Sequence, residues 1–337
     1  MSTLPLSVNV YRGDTIESSH RVHGIVLDRT GDVLSSWGDM DRLISPRSCL
    51  KPLQALPFVE TGAVQAFDLG SEHIALACAS HNAETIHIEM IQSWLKTVGL
   101  EESDLQCGGH LSINEERSHE MIRNEEKMTA LLSDCSGKHA GMLTTAKHEG
   151  YSTEDYVSLD HPVQKQIYTT ISEMAEYDLS KGYSGTDGCS VPNPAIPLKN
   201  LAKAFAYFMN PEKLSDKRAA ASKRILEAMV EHPYLVAGKD RFDTILGESS
   251  KGNIAGKVGA EGNYLAFVRD QGLTIFLKAE DGVIERATLP VLGKILEAVN
   301  ALDDIADPKL SKFTRPILQN WKGIEIGKIE VQDFHFS

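Results

Sequence analysis

The chain has 337 residues, 42% of them hydrophobic, and 34 basic against 47 acidic side chains give a formal net charge of −13. That length suits one large α/β domain, and acid spread evenly along it disfavours nucleic acid and anionic membrane as partners while leaving a small polar substrate open. No run approaches the roughly 18 apolar residues of a membrane span, the opening MSTLPLSVNVYRGD has no leader pattern, and five irregularly spaced cysteines suggest reduced thiols or a metal site, so a cytoplasmic protein is expected.

Segments Leu6–Tyr11, Val22–Leu27 and Val33–Trp37 read as antiparallel strands, the last two joined by the turn Asp28-Arg29-Thr30-Gly31. A helix is predicted over Arg47–Val59, with Pro52 tolerated near its first turn and Pro57 working against it. His73–Ala79 is a short apolar run that stops at Ser80. The next helix, Ala83–Val98, puts Ile86, Met90, Leu95 and Val98 near one face and stops at Gly99. Further helices are predicted over Gly137–His148, from an N-cap at Asp160 to Glu176, over Leu198–Met209 and over Lys217–Glu231. Ile254–Val258, Tyr264–Arg269 and Thr274–Lys278 read as an antiparallel meander, followed by a helix at Arg286–Val299 and a strand at Ile324–Val331. The fold class is therefore α/β in the α+β sense. One antiparallel sheet is assembled from both termini, about 1–45 and 250–337, around an inserted helical part at about 46–249 of a single domain.

Ser48-Cys49-Leu50-Lys51 places a hydroxyl and an amine one helical turn apart, where a neutral lysine can take the serine's proton. The same SxxK spacing at Ser93 and Lys96 is explained by an ordinary helix face. Ser80-His81-Asn82 and Lys257-Val258-Gly259 resemble the SDN and KTG boxes that accompany SxxK in penicillin-binding proteins and serine β-lactamases. Two loops carry further chemistry. Cys135, Lys138 and His139 fall within one turn, and Cys189 follows a Thr-Asp-Gly turn. Their side chains could bind zinc, could be buried small groups, or could make Cys135 a nucleophile at a helix start. Cys49 and Cys78 are expected in the core, and Cys107-Gly108-Gly109-His110 could supply ligands but reads more simply as a sharp loop.

Taken together, these segments resemble the thermolabile, rhizobial-type L-asparaginase II family. The resemblance is carried by Ser19-His20-Arg21-Val22-His23, Arg47-Ser48 with Lys51-Pro52, Cys78-Ala79-Ser80-His81, Cys107-Gly108-Gly109-His110, Cys135-Ser136-Gly137-Lys138-His139, Gly185-Thr186-Asp187-Gly188-Cys189 and Gly256-Lys257-Val258-Gly259. It implies a fold like that of serine β-lactamases and glutaminases, a homodimer, and hydrolysis of L-asparagine to L-aspartate and ammonia. It also implies two Ser/Lys pairs, Ser48 with Lys51 and Ser80 with Lys257. Cys135, Lys138 and Cys189 become ligands of a zinc ion (Zn2+) beside the substrate, and Arg47 and Asp187 suit the charged groups of an amino acid. His81 and His139 adjoin these residues as supports. Asp243 stands where the family pattern leads one to expect a cysteine, and nothing after Val299 carries a motif. The alternatives are a related serine-dependent glutaminase or amidase, and a zinc-binding module without activity.

Overall fold

The computed structural model describes residues 4–304 and 306–336, so residues 1–3, 305 and 337 of the expected sheet segments lie outside the described residues. The chain divides into two compact units. One comprises Met1–Cys49, Pro197–Asn210 and Ile245–Ser337, and the other Leu50–Ile196 and Pro211–Thr244.

The first unit is built on eight strands: β1 (Leu6–Arg12), β2 (Thr15–Leu27), β3 (Val33–Trp37), β4 (Ile254–Gly259), β5 (Asn263–Val268), β6 (Leu273–Ala279), β7 (Ile317–Gln319) and β8 (Glu325–Gln332). They pair antiparallel in the order β7-β8-β1-β2-β6-β5-β4, with β3 also on β2. The expected strand at Val22–Leu27 extends back to Thr15. Its first half pairs with β1, and its second half carries β6 and β3. Gly262 and Gly272, both at positive φ, turn the two hairpins of the meander. The apolar runs of β5 and β6 are buried almost throughout, as strands covered on both faces should be. The helix Leu198–Met209 packs in this unit, where Phe205 stacks on Phe276 and Phe208 packs on Phe267. Burying each such ring contributes roughly 1.5–3 kcal/mol.

The second unit is helical. The predicted Arg47–Val59 helix is broken into a 3-10 turn at Arg47–Leu50 and short helices at Lys51–Gln54 and Leu56–Glu60. Pro52 and Pro57 each occupy the first turn of a piece, because only there does the missing N–H go unneeded. His73–Ala79 proves to belong to a helix, Ser71–Ala77. In the helix Thr85–Thr97 the buried face is His87, Ile91, Trp94 and Leu95, while Ile86 is exposed. Trp94 sets that rotation by donating to Thr144 Oγ1 at 3.0 Å. The N-cap before Pro162 is His161, whose Nδ1 accepts from the Val163 N–H, and not Asp160. The polar helices Glu115–Arg123 and Pro308–Thr314 have too little apolar periodicity to be read from sequence.

At the centre of the second unit lies Ser136–Glu149, buried continuously from Ser136 to Ala146 and ended by Gly150 at positive φ. A Cβ on Gly137 would sit 2.3 Å from the Leu76 carbonyl oxygen, so this helix start approaches the Ser71–Ala77 helix as closely as glycine allows. Gly137→Ala should therefore cost about 1–3 kcal/mol through forced backbone movement. Urea unfolding would measure it, and a variant as stable as the parent would contradict the packing.

Candidate active site

Ser48 lies half-buried in the 3-10 turn, directly after Arg47, which adopts a left-handed φ of 52°. For a residue with a Cβ that conformation costs about 1–3 kcal/mol, a strain that must be held by its surroundings. In the sheet unit, the Cys49 thiol donates to the Lys257 carbonyl at 3.2 Å and Asn263 Nδ2 donates to the Ser45 carbonyl at 3.0 Å. A Cβ on Gly259 would fall 2.8 Å from both Cys49 Sγ and the Pro46 carbonyl oxygen. The KVG strand thus runs against the Pro46–Cys49 segment that carries Ser48. Lys257 is fully buried and donates to its neighbour's carbonyl, Val258 O, at 2.8 Å.

In the helical unit Lys51 opens the helix that follows the 3-10 turn and has no solvent exposure. Its Nζ donates to Ser80 Oγ at 2.9 Å and to the Ala79 carbonyl. Lys51 therefore has Ser80 as its hydroxyl partner here, a pairing that sequence spacing does not suggest. The Ser80 turn is fastened by main-chain bonds: Ser80 N–H to Val236 O at 2.9 Å and His81 N–H to Asp134 O at 3.3 Å. His81 Nε2 meets Ser136 Oγ at 2.9 Å, and its ring stacks on His87. Burial, then the neighbouring His87, pushes the His81 imidazole well below its ordinary range, so it serves this turn in the neutral form. Ala83, just after the turn, is again at positive φ. Ser93 and Lys96 are both exposed on their helix, as an ordinary face requires.

A second cluster forms where the helix Ser136–Glu149 begins. Cys135 is its N-cap residue, and Lys138 Nζ lies 2.9 Å from Cys189 Sγ. A hydrogen bond from Cys135, opposed by burial and helped by Lys138 and His139, holds the Cys189 thiol far below its ordinary range. The same bond, together with burial, keeps Cys135 protonated. Burial opposes the Lys138 ammonium, yet the sulfurs of Cys189 and Cys135 outweigh it and hold the amine above its usual range. His139 Nδ1 lies 2.6 Å from the Tyr156 hydroxyl, and the ring acts on the Cys189 sulfur. Two sulfurs and an amine make a donor set that fits zinc. Among the described residues no three His, Cys, Asp or Glu side chains converge in this way, so Lys138 would have to be the third donor.

Asp187 is partly exposed, and its carboxylate accepts from the Gly188 N–H at 2.7 Å. Asp243 is buried in the first turn of the helix Phe242–Ser249. All five cysteines are buried thiols. Sequence reasoning assigned no role to Asp134 or Tyr156 and read His110 as part of a sharp loop that could also supply ligands. Asp134 Oδ2 is 4.0 Å from Lys51 Nζ, His110 Nε2 is 3.3 Å from Asp134 Oδ1, and the fully buried Tyr156 hydroxyl accepts from the Gln106 N–H at 2.9 Å. The signals were that Asp134 directly precedes Cys135 and that His110 closes a quoted motif.

Serine hydroxyls held by buried lysine amines are the equipment of acyl-transfer hydrolases. Within that class the chain belongs to the L-asparaginase II family, whose model matches residues 8–331 and so extends past Val299, and it is an amidohydrolase. No curated protein matches its sequence. Among solved structures it is similar to a β-lactamase from Mycobacterium bovis, with TM-score 0.45 and 12% identity over 83% of this chain and 95% of the other. It is also similar to a protein provisionally assigned as a β-lactamase from Bacteroides dorei, with TM-score 0.43 and 11% identity over 88% and 94%. Likenesses that distant say nothing of substrate. No helix among the described residues is long and apolar enough to cross a membrane.

Removing the Tyr156 hydroxyl would strand the Gln106 N–H and His139 Nδ1 in an enclosed place. Tyr156→Phe should cost about 1–3 kcal/mol in chemical unfolding, and a loss below about 0.5 kcal/mol, the usual size of a neutral surface change, would mean these bonds hold little.

Proposed function

We propose that the protein hydrolyses L-asparagine to L-aspartate and ammonia through a covalent acyl-enzyme, acting as a cytoplasmic homodimer. The observation that carries this reading is the fully buried Lys51 amine, bonded to the Ser80 hydroxyl and three residues along from Ser48, in a chain of the L-asparaginase II family. Ser48 Oγ attacks the side-chain amide carbon, and Lys51, the next helical residue that can take a proton, accepts the hydroxyl hydrogen. Backbone N–H groups of the turn at Arg47–Leu50 receive the developing oxyanion. The C–N bond breaks, the amide nitrogen takes up a proton and leaves as ammonia, and a β-aspartyl ester remains on Ser48. Ser80 and Lys257 deliver the proton to the leaving nitrogen and then activate water, which cleaves the ester. Arg47 and Asp187 bind the α-carboxylate and α-ammonium of the substrate.

Cys135, Lys138 and Cys189 would hold a zinc ion next to the substrate, with Lys138 in its neutral form. Zinc there would supply a fixed positive charge that keeps the two loops in one shape. Its role in the reading is positional, because the Ser/Lys pairs already provide nucleophile and base.

Ser48→Ala should reduce ammonia release from L-asparagine by at least about 10³-fold and abolish any trapped acyl-enzyme. If turnover survives that change while Ser80→Ala removes it, the two serines exchange roles. L-Glutamine, one methylene longer, should be poorer in kcat/KM by about 10–200-fold; equal rates would point to a broader amidase. Elemental analysis should find about one zinc per purified chain, lost in Cys189→Ser. A zinc-free protein at full activity would remove the metal from the scheme.

A further inference from the structure

Lys51 has one polar neighbour that the reaction scheme leaves unused. Beyond Ser80 Oγ and the Ala79 carbonyl, its Nζ faces Asp134 Oδ2 at 4.0 Å. Asp134 is braced from two sides: its carbonyl accepts from the His81 N–H at 3.3 Å, and His110 stands against its carboxylate. His110 Nε2 is 3.3 Å from Asp134 Oδ1, and the other ring nitrogen lies 2.7 Å from the Leu111 carbonyl oxygen. Other titratable groups that feel Lys51 within this unit include His81, His110, Cys135 and His139. None of these is a carboxylate, and the Asp134 carboxylate faces the amine at 4.0 Å.

A lysine that takes a serine's proton becomes an ammonium, and in an enclosed site that new charge costs several kcal/mol unless a countercharge is already in place. We propose that Asp134 is a positioning residue for this reaction: its carboxylate, braced by His110, is the standing countercharge that holds the Lys51 ammonium formed during acylation against Ser80. Asp134 stays ionised throughout, in the part an aspartate plays toward the imidazolium of a Ser-His-Asp triad. The inference rests on the reading of Ser48 as nucleophile and Lys51 as base. It adds a carboxylate and an imidazole to a machinery that sequence spacing limited to serines and lysines.

The test is steady-state ammonia release from L-asparagine by the full chain and by Asp134→Asn, Asp134→Glu and His110→Gln, each confirmed folded by circular dichroism. Asp134→Asn should lower kcat about 100-fold with KM held within about threefold, since the countercharge matters only once the ammonium forms. Asp134→Glu should regain at least about tenfold of that loss, and His110→Gln, which only loosens the brace, should lower kcat by about tenfold. A folded Asp134→Asn variant with the parent kcat, or one impaired through KM alone, overturns the inference. If Asp134→Asn does not fold, His110→Gln decides, and an unchanged kcat there overturns it. A parent chain that releases no ammonia from asparagine overturns the underlying reading and this inference with it, whereas an active parent with indifferent variants overturns the inference alone.

Discussion

An amine with no solvent exposure dictates much of what surrounds it in the helical unit. Taking a lysine head group out of water costs several kcal/mol unless its hydrogen-bonding capacity is met inside. Lys51 meets it with the Ala79 carbonyl and the Ser80 hydroxyl, and with the Asp134 carboxylate at 4.0 Å. Each partner has to be held in turn. Ser80 is held by Val236, Asp134 by His110 and the His81 N–H, and His81 by the first residue of the central helix. The glycine at position 137 lets that helix start come against the Leu76 carbonyl, which keeps these supports within reach of one another.

The second buried lysine of the helical unit solves the same problem with a softer partner. Lys138 faces the Cys189 sulfur at 2.9 Å, where Lys51 faces oxygen. That difference separates their chemistry, because an oxygen partner suits proton transfer at a hydroxyl, whereas two sulfurs and an amine suit a soft metal ion. The backbone shows its strain at these same places. Arg47 precedes the first serine, Ala83 follows the second serine's turn, and Ser190 follows Cys189, all three at positive φ. Other residues share that conformation in ordinary turns, so strain alone would not have found the site. At these three positions it adjoins groups with chemistry.

How much could be read beforehand depends on how local each cause was. The strands Val33–Trp37 and the three of the meander follow from β-branched and aromatic runs stopped by glycine, and they stand within a residue or two of where those runs fall. The long helix expected over Arg47–Val59 failed because two prolines each demand a first turn, which is a local rule given too little weight. His161 displaced Asp160 as a cap because its ring reaches the Val163 N–H while Asp160 is exposed. The CSGKH and GTDGC strings pointed to their cluster without any structure, since thiols and an amine at that spacing are rare enough to stand out.

The sequence by itself determined the kinds of reactive group, their order along the chain, the strand and helix content, and the family to which those motifs point. Those properties are set by neighbours a few residues away, through hydrophobic period, turn chemistry and short motifs. Only the tertiary structure decided which hydroxyl Lys51 bonds within its unit, that Asp134 and His110 stand beside it, that Tyr156 orients His139, and that the helix Leu198–Met209 packs with the sheet. Each of those joins residues tens to hundreds of positions apart, and a contact of that range is selected by burial and hydrogen-bond satisfaction over a whole unit, which no local pattern encodes.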